Sequence, residues 1–271
     1  MRGLKGFLLV VLLVVVAVAG GGALLLRSQR GKIDRPSELK PNLLVVTNAV
    51  GVDVFAARVA PGPNIVLFDA GLDQEGHPID ALLVALAGKR DDVTDVFLTH
   101  AHFDHTGGVG VVPNARVHLG AADVPLATGQ VSPDALLPRV LGLVLSAKPV
   151  SINAPIAGNG PTDFPVGPRD AAGKQKVVKA FPVPGHTPGS YAFLYDGVLI
   201  AGDIMVFKQG RLEPPPGVFD PHPEQNRASL RALKAALANE TLDVVCTAHG
   251  GCTPSGLGRN LLDDLIARLG T

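Results

Sequence analysis

The chain carries three histidines and one aspartate within the six residues from His100 to His105. Imidazole and carboxylate side chains at this density are typical of a binding site for one or two divalent metal ions. His100 and His102 are two positions apart, so their side chains point the same way in an extended backbone. Asp104 and His105 follow at the next turn, where they can face a second position. The fold must therefore bring further ligands to this run from distant parts of the chain.

The remaining sequence predicts alternating strands and helices, with polar side chains just beyond several strand ends. Strands are predicted at residues 42–46, 52–59, 64–68, 93–99, 116–119, 176–183, 190–195, 198–201 and 242–247, helices at residues 78–87, 121–146, 223–238 and 256–269, and a loop at residues 151–175. Asp69, His100, His186, Asp203 and His249 each follow one of these strands. Open α/β sheets generally bind their ligands beyond the carboxyl ends of the strands, so these residues are predicted to converge on one site.

The candidate ligands are sufficient for two ions that share a bridging carboxylate. One ion is assigned His100, His102 and His186, the other is assigned Asp104, His105 and His249, and Asp203 lies between them. Imidazole combined with carboxylate suits zinc, iron or manganese better than calcium or copper(I). Zinc is the default, and the sequence does not choose among the three.

The charge balance argues against a nucleic-acid partner. The 24 Lys and Arg residues equal the 24 Asp and Glu residues, and the formal net charge is zero. Nucleic-acid-binding domains usually show a basic excess or a basic patch. A small-molecule substrate is therefore expected, and the oligomeric state is left open.

The N-terminal segment, residues 1–30, has two interpretations. Basic residues flank an apolar run over residues 7–26, which is long enough to cross a bilayer as an uncleaved anchor. Small residues at positions 17–19 also fit the cleavage site of a signal peptide. Under either interpretation, the rest of the chain is exported to the periplasmic or extracellular side. It stays attached to the membrane only if the N-terminal segment is retained. Residues 31–41 are predicted to be a linker, and residues 42–271 one domain.

Two cysteines, Cys246 and Cys252, lie on either side of His249. They can form a disulfide in an oxidising compartment, or they can be two small buried side chains beside the site. Direct metal ligation is disfavoured because the ligand set is complete without them.

Successive motifs resemble those of the metallo-β-lactamase-fold hydrolases. The matching segments, in chain order, are Asp69-Ala70-Gly71, Thr99 to His105, Gly185 to Ser190, Gly202-Asp203 and Ala248-His249-Gly250. The resemblance extends from about residue 42 to the end of the chain. It implies an α/β fold, an αβ/βα four-layer sandwich of two mixed β-sheets with outer helices. It also implies the same ligand set, with Asp69 supporting the site without binding metal.

The resemblance further implies a hydrolase of the glyoxalase II and lactonase branch. A bridging aspartate such as Asp203 is similar to that of glyoxalase II, lactonases and related esterases, whereas zinc β-lactamases lack it. We therefore expect a dinuclear metal-dependent hydrolase that cleaves a small ester, thioester or lactone through a metal-bridging hydroxide. Asp104 is predicted to act in catalysis by orienting the nucleophile or carrying its proton.

Other features leave alternatives open. Some members of the family hold a single iron and oxidise sulfur compounds with oxygen, and a non-catalytic metal-binding protein is a third hypothesis. The basic residues with which glyoxalase II binds glutathione have no clear counterpart. Substrate selectivity is predicted to lie in residues 121–176 and 205–223, without assignment to particular side chains. His77, His118 and His222 are predicted not to bind metal.

Overall fold

The structure, a computed structural model, describes residues 34–47, 52–60, 62–144 and 147–270. The predicted signal peptide or membrane anchor, residues 1–30, lies outside this range. Among the described residues, no helix is both long and apolar enough to cross a membrane.

Seven strands form the first sheet, and they lie side by side in chain order. They are β1 (Ser37–Lys40), β2 (Leu43–Thr47), β3 (Asp53–Arg58), β4 (Ile65–Phe68), β5 (Val93–Phe97), β6 (Arg116–Gly120) and β7 (Ala154–Ile156). Neighbours from β1 to β4 are antiparallel, and neighbours from β4 to β7 are parallel. The sheet is therefore mixed.

The second sheet is also mixed and has six strands. In chain order the remaining strands are β8 (Thr162–Val166), β9 (Lys176–Pro182), β10 (Tyr191–Tyr195), β11 (Val198–Ile200), β12 (Val206–Lys208), β13 (Arg211–Glu213), β14 (Val244–Thr247) and β15 (Gly251–Cys252). The second sheet has the order β15-β14-β11-β10-β9-β8, and β12 and β13 form a separate hairpin. Only the β11–β14 pair of this sheet is parallel within the described residues.

Helices cover the outer faces of both sheets. The described helices are α1 (His77–Ala85), α2 (Phe103–Thr106), α3 (Val124–Ala127), α4 (Leu136–Val144), α5 (Pro223–Ala236) and α6 (Gly258–Arg268), with short 3₁₀ turns at Arg90–Asp92, Gly107–Val111 and Ala121–Asp123, and the sheets are covered by α1, α5 and α6. Leu82 of α1 belongs to the core beneath the first sheet. Leu230 of α5 and Leu262 of α6 belong to the core beneath the second.

Side chains along each strand point alternately to its two faces, which separates these outer cores from a third core between the sheets. In β4, Leu67 faces the helix-side core, whereas Phe68 faces the core between the sheets. In β10, Phe193 joins Phe68 between the sheets and Leu194 faces the outer helices. Successive side chains of a strand point to opposite faces, so a strand buried on both sides feeds two cores. The layers are helix, sheet, sheet and helix, which confirms the predicted four-layer sandwich.

The strands that the sequence did not reveal lie mostly at sheet edges. β1 lies within the predicted linker, residues 31–41, and pairs with β2. β7 and β8 lie within the predicted loop, residues 151–175, and each has one neighbour in its sheet. Those two predictions were therefore wrong in part. Edge strands need hydrogen-bond partners on one side only, so they tolerate the Pro and the exposed polar residues that obscured the pattern.

A buried carboxylate lies where β3 meets the segment that carries His249. Asp53 is 1% exposed, and its backbone N–H donates to the carbonyl of Ala248 over 3.0 Å. Thr47 Oγ1 donates to Asp53 Oδ1 over 2.5 Å, while Oδ2 has no hydrogen-bond partner. Burial raises the pKa of Asp53 to about 6, against the opposing effects of Thr47 and His249. The ionised form therefore destabilises the native state.

We expect Asp53→Asn to stabilise the protein at pH 8 by about 2–3 kcal/mol. Because the native pKa of about 6 exceeds the ordinary value of 3.8, the native state holds this proton more tightly than the unfolded chain. The tighter binding of this proton stabilises the native state below about pH 4, and this contribution is lost as the pH rises through about 6. Urea denaturation at pH 4 and pH 8 measures the difference, which should vanish at pH 4. Equal or lower stability of the variant at pH 8 would contradict the prediction.

Candidate metal centre

The strand ends deliver the predicted site residues to one end of the sandwich. β4 is followed by Asp69, and β5 by the run that begins at His100. β9 leads to His186, β11 to Asp203 and β14 to His249. All seven predicted ligands meet there, in overlapping groups whose ligand atoms lie within 4.8 Å of one another: His100, His102 and His186; His100, His105 and Asp203; Asp104, His105 and His249.

Three imidazoles form the first group, and their ring nitrogens converge. His100 Nε2 lies 3.0 Å from His102 Nδ1 and 3.2 Å from His186 Nε2, and the last two atoms are 3.0 Å apart. Burial lowers the pKa of His102 to about 3 and holds that of His100 well below its usual range. The rings are thus neutral, and their lone pairs face a common point. Three nitrogens bound to one tetrahedral zinc ion lie about 3.3 Å apart, which this arrangement fits.

The second group combines one carboxylate with two imidazoles. His249 Nε2 lies 3.3 Å from Asp104 Oδ2, and His105 Nε2 lies 4.0 Å from the same oxygen. The carboxylate of Asp203 is the main cause that raises the pKa of His249 to about 10. Burial opposes the charged form of His105, but Asp69, Asp203 and Asp104 raise its pKa well above the usual range. These negative charges favour a cation here, whether it is a proton or a metal ion.

Asp203 lies between the two groups. Its Oδ2 is 3.6 Å from His186 Nε2 of the first group and 3.4 Å from His249 Nε2 of the second. Its Oδ1 is 3.6 Å from His105 Nε2, and both of these atoms are buried without a hydrogen-bond partner. Although burial opposes ionisation, His249 and His105 hold the pKa of Asp203 well below its usual range. Buried polar atoms without partners are rare, so this pair fits a bound divalent ion.

Asp69 lies behind the second group and determines the orientation of His105. The carboxylate accepts a hydrogen bond from His105 Nδ1 over 2.8 Å, which leaves Nε2 to face Asp203. It also accepts from the backbone N–H of Thr99 over 2.7 Å. Asp69 and His105, the two partners of the first hydrogen bond, are both fully buried. Such carboxylate partners fix the tautomer and direction of metal-binding histidines.

Asp123 is a site residue that the sequence did not reveal. It lies in the 3₁₀ turn after β6, is completely buried, and joins the two segments that carry the first three histidines. Its Oδ2 accepts from the backbone N–H of Ala101 over 3.0 Å and from Thr187 Oγ1 over 2.7 Å. Its Oδ1 accepts from the backbone N–H of Gly189 over 2.6 Å. The signal that could have revealed Asp123 was its position after a strand-like segment. No histidine or second carboxylate accompanies it in the sequence, so it did not stand out.

Replacement of Asp123 by asparagine should weaken metal binding by about 10–100-fold, as for other outer partners of metal ligands. The amide places an NH₂ group where one oxygen now accepts two hydrogen bonds, so the Ala101 and Gly189 segments are no longer held together. Competition with a chromophoric chelator measures the affinity. Asp80→Asn, which removes an exposed carboxylate that binds Arg90, is the matched control and should keep wild-type affinity. Equal affinities in both variants would contradict the prediction.

The remaining histidines, His77, His118 and His222, lie outside the groups of candidate metal ligands. His118 is buried against Phe97, and its Nε2–H donates a 2.8 Å hydrogen bond to Asp95 Oδ1. His77, the first residue of α1, bonds to Asp73, which precedes the helix, and His222 faces Asp134 at 3.4 Å. Each of these three histidines therefore pairs with a carboxylate away from the candidate metal ligands.

A family model described as the metallo-beta-lactamase superfamily matches residues 51–249 of this chain. This range contains all seven predicted ligands. The chain belongs to the metallo-beta-lactamase superfamily. The predicted family is thereby confirmed, and the protein is a metallo-hydrolase of this superfamily.

Curated relatives of this superfamily include hydrolases of different names. The chain is 27% identical over 246 residues to the probable metallo-hydrolase YflN of Bacillus subtilis, a match that covers 79% of this chain and 84% of YflN. It is 32% identical over 216 residues to a hydroxyacylglutathione hydrolase of Fuscovulum blasticum, covering 77% of this chain and 66% of that enzyme.

Solved structures support the fold. A β-lactamase from Chitinophaga pinensis has a TM-score of 0.64 and 19% identity, covering 89% of this chain and 93% of its own. BJP-1, a subclass B3 metallo-beta-lactamase of Bradyrhizobium japonicum, has a TM-score of 0.61 and 20% identity, and the match covers 89% of this chain and 94% of BJP-1. At these identities the similarity concerns the fold alone.

Proposed function

We propose that this metallo-hydrolase holds two divalent ions, zinc by default, and cleaves a small ester, thioester or lactone. The observation that carries the proposal is the position of Asp203, whose carboxylate lies within 3.6 Å of histidine nitrogens in both groups. A carboxylate in this position can bind two ions at once. Relatives named hydroxyacylglutathione hydrolase support acyl-group hydrolysis.

The ligands would be divided between the ions as the sequence predicts. The first ion would be held by His100, His102 and His186, the second by Asp104, His105 and His249, with Asp203 shared. When bound, the ions supply Lewis acidity that polarises a carbonyl and lowers the pKa of water.

Asp104 is the residue of this chain best placed to orient the attacking water. Its carboxylate lines the cavity above the site and lies 3.3 Å from His249 Nε2. A carboxylate accepts a hydrogen bond from water and so directs a lone pair of the water oxygen toward the substrate. Asp104 therefore combines the predicted catalytic role with that of a ligand.

The test is metal analysis combined with a substrate panel on the full-length protein. We expect about two ions per chain, hydrolysis of neutral esters or lactones, loss of turnover after dialysis against a chelator, and recovery on adding Zn²⁺, Fe²⁺ or Mn²⁺. One iron per chain with oxygen uptake would instead support the sulfur-oxidising alternative. A full metal content without turnover on any ester, thioester or lactone would support the non-catalytic alternative.

We also propose that the domain is exported, as the apolar run at residues 7–26 predicts. Cys246 of β14 and Cys252 of β15 are cross-strand partners joined by a disulfide, and disulfides persist in oxidising compartments. Thiol labelling of the protein extracted without reductant tests this. We expect no reactive thiol, and two reactive thiols would contradict the proposal.

A further inference from the structure

A cavity of about 380 Å³ lies directly above the candidate metal centre. Its polar floor consists of predicted metal ligands, namely His102, Asp104, His186, Asp203 and His249. The volume is in the range of small-molecule sites. A substrate carbonyl that reaches this floor must therefore leave the rest of the molecule in contact with the walls.

One wall is formed by α4 together with the histidine run. Pro138 and Leu141 of α4 line the cavity beside Phe103. The helix lies close to this ring, since a Cβ atom at position 142 would make van der Waals contact with Phe103 Cδ1 at 3.5 Å. On the same helix, Leu143 does not line the cavity and is 78% exposed.

The opposite wall comes from the segment after β11. Met205, Val206 and Phe219 line it together with Pro215 and Pro216. The two prolines have fixed φ angles, which restrict the backbone of this wall. Val52, just before β3, and Leu72, in the segment after β4, complete the lining. Apart from the ligands, each described residue that lines the cavity is apolar.

No lysine or arginine is among the described residues that line the cavity. The nearby hairpin of β12 and β13 carries Lys208 and Arg211, but Arg211 lies 3.6 Å from Glu213 and neither cation is part of the lining. A negatively charged acyl or leaving group that lies against these walls, away from the floor, would lose its hydration without gaining a counterion from a side chain, which is unfavourable.

From this cavity we infer the substrate class, an inference that rests on the proposed hydrolase function. The substrate is a neutral ester or lactone that carries an apolar acyl chain of several carbons, held between Leu141 on one side and Phe219 on the other. Conjugates of anionic thiols such as glutathione are excluded from efficient turnover by the same walls, in contrast to the name of the Fuscovulum relative.

The experiment is a series of neutral esters that differ only in acyl length, from two to eight carbons, together with a glutathione thioester. We expect kcat/KM to rise about fourfold per added methylene until the cavity is filled, because each methylene is removed from water. The glutathione thioester should be hydrolysed no faster than the two-carbon ester.

Matched variants on α4 locate the effect. Leu141→Gln should flatten the dependence on acyl length, and Leu141→Met, which keeps an apolar side chain, should restore it. Leu143→Gln removes an exposed leucine from the same helix and should leave the series unchanged. Metal content shows that each variant retains its folded site.

The failures of the two proposals are distinguishable. Hydrolysis of short and long esters at equal rates, or preference for the glutathione thioester, would overturn the substrate class while leaving the hydrolase proposal intact. The absence of turnover on every ester, thioester and lactone, with a full metal content, would overturn the proposed function and with it this inference.

Discussion

Asp203→Asn should lower kcat/KM for a hydrolysed ester by more than about 100-fold. Loss of an outer partner of a metal ligand costs up to about 100-fold, and we expect a larger loss for a proposed ligand. The side chain lies 3.6 Å from His186 Nε2 and 3.4 Å from His249 Nε2, so it is shared by both histidine groups. Asparagine keeps the shape of the side chain but removes the negative charge that would offset repulsion between the two proposed cations. Metal content per chain should fall with the activity. Both quantities are measured on the purified variant.

The control for this change is Asp163→Asn. Asp163 lies at an exposed position of β8, where it faces Lys179 at 3.5 Å, and pairs of this kind contribute little to stability. The control should keep wild-type metal content and turnover. If Asp203→Asn keeps them as well, the two-ion hypothesis is wrong.

Gly185→Ala should cost about 3–5 kcal/mol of unfolding free energy and lower the metal content, because two penalties combine. Gly185 has a φ of +148°, which residues with a Cβ atom rarely adopt. Its Cβ would also lie 2.6 Å from backbone atoms of Asn226 on α5. Backbone cannot move aside as a side chain can, so the segment that carries His186 must shift. Urea denaturation and metal analysis measure both effects.

Gly160→Ala is the matched control, since an added Cβ at that position meets no atom within 4 Å. It should change the unfolding free energy by less than about 1 kcal/mol. Equal stabilities of the two alanine variants would show that the close approach of the Gly185 segment to α5 is not required.

The sequence was most informative where local pattern and chemistry coincide. His100, His102 and His105 occur together, and each distant ligand follows a recognisable buried strand. Strands buried on both faces are continuously apolar and are therefore visible in a sequence. The family motifs at these positions then allowed the four-layer sandwich to be predicted, and the structure confirms it.

The features that escaped prediction depend on partners far away in the chain. β7 and β8 are stabilised by single neighbours at sheet edges, and their own residues carry little strand pattern. Asp123 has no metal-binding neighbour in the sequence, yet it accepts hydrogen bonds from Ala101, Thr187 and Gly189. Its role arises only when three segments meet.

By itself, the sequence determined the candidate donor side chains of the site, because residue type is a local property, and the layered arrangement followed from the resemblance of its motifs to a known family. Only the tertiary structure decided the distances from Asp203 to the histidines of both groups, how burial and neighbouring charges divide the protonation of the histidines, and that the cavity walls are apolar. Those properties depend on distances between residues such as Phe103, Leu141 and Phe219, which are far apart in the chain and meet only through packing.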